Sequence, residues 1–75
     1  MKGSISWLNS VERASREVDD GWTTGDITGE IRRLAEKYEV VWARLTDSTG
    51  KVWFVESNGG KVVWEVLRPV KDGNW

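Results

Sequence analysis

Three strand-like runs separated by two short turn segments occupy residues 40–68, and they constrain the fold more than any other feature of the chain. The runs are Val40-Val41-Trp42-Ala43-Arg44-Leu45-Thr46, Lys51-Val52-Trp53-Phe54-Val55-Glu56-Ser57 and Lys61-Val62-Val63-Trp64-Glu65-Val66-Leu67-Arg68. Each is rich in β-branched and aromatic residues and is bounded by turn residues. Asp47-Ser48-Thr49-Gly50 separates the first two, and Ser57-Asn58-Gly59-Gly60 separates the second and third. Asn58-Gly59 is the strongest short hairpin signal of the chain. Pro69 has no N–H to give to a ladder, so the third strand is expected to end there or to lie at an edge.

Loop length sets register, and register decides which side chains share a face. With Asn58-Gly59 as the loop, Ser57 faces Gly60, Glu56 faces Lys61 and Trp53 faces Trp64. With Asp47-Ser48-Thr49-Gly50 as the first loop, Thr46 faces Lys51, Arg44 faces Trp53 and Trp42 faces Val55. Alternation then collects Val40, Trp42, Arg44, Trp53, Val55, Val62, Trp64 and Val66 on one side of the sheet. The other side carries Val41, Ala43, Leu45, Val52, Phe54, Val63 and Leu67, interrupted by Glu56, Lys61 and Glu65. Both faces are largely apolar, whereas an antiparallel sheet with one wet face alternates apolar and polar residues. Either helices lie on both sides or a partner covers one of them.

Upstream, Trp7, Val11, Ala14 and Val18 recur at i, i+4, i+7 and i+11. This spacing predicts a helix over about 5–19, capped by Ser4 or Ser6 and stopped by Gly21. Ile27, Ile31, Leu34, Ala35 and Tyr38 predict a second helix over about 27–38, capped by Asp26. Trp22 is the only large apolar residue of the intervening loop. The expected architecture is one α+β domain over residues 1–75. Two N-terminal helices precede a three-stranded antiparallel meander with strands at 40–46, 51–57 and 61–68, in the order α-α-β-β-β. A short polar tail, 70–75, ends on Trp75.

Composition narrows the function. The chain has no Cys and no His, so it lacks disulfides, thiolate metal sites and the commonest general base. Its net charge of −1 argues against a protein whose main task is neutralising phosphates. No apolar run of about 18 residues suggests a membrane span, and the first residues lead into no signal-peptide core. A cytoplasmic location is the expectation.

Asp19, Asp20, Asp26 and Glu30 invite comparison with a calcium loop, but no single register supplies both the ligands and the turn glycine. Gly25-Asp26-Ile27-Thr28-Gly29 lacks the lysine of a phosphate loop and does not follow a strand. No nucleophile is paired with a base. The expectation is a protein without enzyme activity, metal, cofactor or small-molecule substrate.

Six Trp in a chain of 75 residues is high, and Trp is enriched at binding hot spots. Trp42, Arg44, Trp53, Trp64 and Val66 form the candidate partner-binding set. The ordinary reading of the same residues is a core, with Trp packed under the helices and Arg44 stacked on an indole. The expected function is that of a small inhibitor or adaptor, which occupies a protein surface or dimerises through an apolar, Trp-rich sheet face. Its size class is that of inhibitors carried by phages and mobile elements. The alternative is a nucleic-acid binder of winged-helix or β-sheet type using Arg32, Arg33, Lys37 and Arg68, although Glu30, Glu36 and Glu39 interleave with the helical set. A second alternative is a structural subunit of a larger assembly.

Overall fold

Ser4-Ile5-Ser6-Trp7 alternates small polar and large apolar side chains, the pattern of a strand with one buried face. The computed structural model, which describes residues 1–68, follows that alternation rather than the helical spacing. The elements run β1 (Lys2–Leu8), β2 (Arg13–Val18), α1 (Thr24–Ala35), β3 (Val40–Thr46), β4 (Val52–Asn58) and β5 (Lys61–Arg68). One helix therefore stands against a five-stranded sheet of order β2-β1-β3-β4-β5, antiparallel throughout. The expected α-α-β-β-β architecture is overturned: the segment predicted as a helix over 5–19 is a β-hairpin, and the meander is part of a larger sheet. The tail 70–75, with Trp75, lies outside the described residues.

The turn between β1 and β2 explains the first correction. Asn9 closes it, its side-chain oxygen accepting the N–H groups of Val11 and Glu12 at 2.8 Å each. The Asn9 backbone N–H in turn donates to the Glu12 carbonyl at 2.9 Å. An asparagine that binds backbone two and three residues on stabilises a turn in competition with a helix. Val11, expected in an apolar helical stripe, sits at the hairpin tip and is 89% exposed. Trp7 and Ala14 share a face as cross-strand partners, not as helical neighbours.

The remaining helix starts earlier than its apolar stripe. Thr23 is the N-cap: its hydroxyl accepts the Asp26 N–H at 3.1 Å, and the Asp26 carboxylate accepts the Thr23 N–H at 2.9 Å. This reciprocal box places Asp26 in the first turn rather than at the cap. The helix ends at Ala35 rather than near Tyr38, and the N–H groups of Lys37 and Tyr38 both reach the Leu34 carbonyl at 2.9 Å. Ile27, Ile31 and Leu34 are buried against Ile5, Val18, Val41, Ala43, Leu45 and Val55. That single layer between helix and sheet is the core, and no described element covers the other face of the sheet.

Both predicted hairpin registers are displaced, the first by one residue and the second by two. In the second hairpin Asn58 pairs with Lys61, so the loop is Gly59-Gly60. Both glycines have positive φ, 58° and 84°, as a primed hairpin turn requires, and neither carries a Cβ to oppose it. In the first hairpin Thr46 pairs with Val52, which lengthens the loop to Asp47–Lys51. Asp47 builds that loop: its carboxylate accepts the Thr49 N–H (2.9 Å), the Thr49 hydroxyl (2.6 Å), the Lys51 N–H (3.1 Å) and the Trp53 indole N–H (3.0 Å). β4 and β5 also slip past one another between Val52 and Trp53. Val52 pairs with Arg68 and Trp53 with Val66, leaving Leu67 as the bulged residue.

Candidate functional site

The one-residue change in the first hairpin decides the site. A loop of odd length turns β3 over relative to β4, so Leu45, not Arg44, lies beside Trp53. The predicted set of Trp42, Arg44, Trp53, Trp64 and Val66 is thereby divided between two faces. Trp53, Trp64 and Val66 lie on the helix side. Trp42 and Arg44 lie on the open side.

On the helix side the indoles are committed to the fold. Trp53 and Trp64 meet edge to face, with ring centroids 5.9 Å apart and planes at 77°. The Trp53 indole N–H donates to Asp47, and the Trp64 indole N–H donates to the Thr28 hydroxyl at 3.2 Å. The Lys51 ammonium sits 5.5 Å from the Trp53 ring centroid. Both rings are half-buried and pack against the core. Their polar ends are satisfied within the fold.

The open face is built from the alternate positions of all five strands. One row across the sheet reads Glu17, Ser4, Arg44, Phe54, Glu65, and the next reads Ser15, Ser6, Trp42, Glu56, Val63. Leu8 and Val40, which pair with each other, extend it at one end. Trp42 and Phe54 are diagonal neighbours on adjacent strands, within reach of one another's side chains. Both are half-buried by their neighbours in the sheet, whereas Arg44 is exposed. Among the described residues the Trp42 indole N–H has no internal acceptor and Arg44 has no carboxylate partner. Serines at positions 4 and 6 keep the β1 flank of Trp42 and Arg44 low.

Phe54 and Val63 belong with Trp42 and Arg44, a grouping that the displaced register had concealed. Leu8, Ser4 and Ser6 were concealed for a different reason, since their segment read as a helix. The signal available for them was the Ser-Ile-Ser-Trp alternation.

The basic residues of the nucleic-acid alternative do not converge. Arg33 is tied to Glu30 by hydrogen bonds of 2.9 and 2.7 Å, while Arg32 is exposed on the helix and Lys37 lies beyond its end. Arg68 is the last position of β5, paired with Val52. Glu30 also binds Arg16 at 2.9 Å, and these arginines, Arg33 foremost, hold its carboxyl below the usual range. Arg16 additionally lies 5.0 Å from the centroid of Trp22.

An open cleft of about 500 Å³ is lined by Asp19, Gly21, Trp22, Asp26 and Glu30. Each of its acids already has an internal task. Asp19 accepts the Gly21 N–H at 3.0 Å, Asp26 caps α1, and Glu30 holds two arginines. Among the described residues no group of acidic side chains is arranged to hold a metal ion. No described helix is long and apolar enough to cross a membrane. Neither a protein-family model, nor a curated protein, nor a solved structure matches the chain.

Proposed function

We propose that this chain is a protein-binding module without catalytic activity of its own, which docks on another protein through the helix-free face of its sheet and works there as an inhibitor or adaptor. The observation that carries the reading is the placement of Trp42 and Phe54 side by side on that face, with Leu8, Val40 and Val63 around them. An aromatic centre with a polar rim is the anatomy of an interaction hot spot. Lys2, Arg13, Arg44 and Lys61 on the same face are interleaved with Glu17, Glu56 and Glu65, so charges of both signs are mixed across it with only a small basic surplus. That mixture suits a mixed protein surface better than a phosphate backbone.

The test is affinity capture from source cells, followed by titration of the purified captured protein against the wild type and against Trp42→Ala/Phe54→Ala. The expected result is a loss of affinity of about a hundredfold in the double variant, with the melting temperature little changed. Unchanged affinity in a folded double variant would overturn the proposal. So would a nucleic acid as the sole captured species, with affinity falling steeply as salt is raised.

A further inference from the structure

A second surface is the edge of β5, which shares Lys61, Val63 and Glu65 with the open face and which no described strand pairs. The two edges of the sheet are unlike. On β2, Arg13, Ala14, Ser15, Arg16 and Glu17 are exposed and Val18 is buried, so that edge is charged and carries no exposed large apolar side chain. Charge of this kind is how proteins protect an edge from pairing. On β5, Val63, Val66 and Leu67 are 39%, 38% and 45% exposed, and they account for three of the five large apolar side chains exposed among the described residues. Lys61 and Glu65 are both exposed and have no ion-pair partner there.

Backbone geometry defines what the edge offers. A two-residue hairpin closes on a pair that exchanges both of its main-chain hydrogen bonds, here Asn58 and Lys61. Alternation then turns the N–H and C=O groups of Val63 and Glu65 toward β4, and those of Val62 and Trp64 outward. Any strand added to this edge must therefore bond to Val62 and Trp64.

We propose that this edge pairs with β5 of a second copy of the chain, antiparallel and centred on Val63. In that register Val62 of each copy exchanges main-chain hydrogen bonds with Trp64 of the other. Val63 meets Val63 of the second copy at the two-fold axis. Lys61 of each copy faces Glu65 of the other, so both charges gain a partner, twice over by symmetry. A register centred on Trp64 sets Val63 against Glu65 and leaves Lys61 against Leu67. One centred on Glu65 brings two carboxylates face to face. Charge complementarity therefore selects the Val63 register, which also ends before the bulge at Leu67. The axis is perpendicular to the sheet, so the five strands of each copy join in one continuous sheet with both helices on the same side.

The experiment is sedimentation across a concentration series for the wild type, Lys61→Glu, Glu65→Lys and the combined exchange Lys61→Glu/Glu65→Lys. The expected result is a reversible dimer that each single reversal weakens about tenfold and the combined exchange restores. Val63→Cys should oxidise to a disulfide-linked dimer, because directly opposed residues of a non-hydrogen-bonded pair meet disulfide geometry. Val40→Cys, on the open face, should not. A strict monomer at every concentration would overturn the proposal, as would a dimer indifferent to the charge reversals. A dimer abolished by Trp42→Ala but not by Lys61→Glu would place the contact on the open face and overturn it as well.

Discussion

Gly3 and Gly29 show how far two glycines can differ in what they do. Gly3 lies on β1 at a φ of 152°, and a Cβ built there would fall 2.0 Å from the Arg44 carbonyl oxygen on β3. The obstacle is backbone, so it cannot swing aside. Gly3→Ala is expected to cost about 3 kcal/mol or more, read from the midpoint of urea unfolding. Gly29 lies inside α1, where an added Cβ would meet nothing within 4 Å. Gly29→Ala is expected to raise stability by about 0.5–1 kcal/mol in the same assay. Asp47 adds a pH dependence. The Thr49 side chain and then the Trp53 indole hold its carboxyl well below the usual carboxylate range. A depressed folded-state pKa means that the ionised form favours folding. Its contribution is complete above the ordinary value of 3.8 and is lost as pH falls below it. Asp47→Asn turns a donor toward groups that themselves donate. It is expected to lower the unfolding midpoint at neutral pH and to flatten the acid limb of a stability–pH profile. An acid limb identical to that of the wild type would remove Asp47 from this role.

At the level of elements, the helix and the turns were legible to different degrees. The Ile27, Ile31, Leu34 stripe is the helical face that packs on the sheet, because its i, i+4, i+7 spacing has no competing pattern. The first segment carried two patterns at once. Trp7, Val11, Ala14 and Val18 fit a helix, and Ser4 to Trp7 fit a strand; the Asn9 turn decided between them. β2 offers no apolar alternation because it is an edge strand with almost nothing to bury. The candidate site depended on loop length, which Asp47 sets through hydrogen bonds that composition does not reveal. The register makes a direct prediction about two tryptophans one strand apart. Trp53→Ala removes a ring that packs on Trp64 and bonds to Asp47, and is expected to cost about 3 kcal/mol. Trp42→Ala on the open face is expected to change stability by less than about 1 kcal/mol. Equal losses in calorimetry would mean that both rings serve the core.

For the whole molecule, the arrangement is one of uneven cover. Among the described residues a single helix supplies the second layer, so the core is thin and the opposite sheet face keeps Trp42 and Phe54 half-exposed. Small domains have little burial in reserve. The β1–β2 hairpin joins the rest of the sheet along one seam, where Lys2 pairs with Thr46 and Leu8 with Val40. That seam has a consequence in time. As the chain is synthesised, the first hairpin is complete long before β3 exists, and one side of β1 must wait without its neighbour. Ser4 and Ser6 break up the apolar content of the waiting strand and lower its tendency to capture another nascent chain. The same two serines that leave room around Trp42 in the finished sheet therefore protect the newborn chain before that sheet can close.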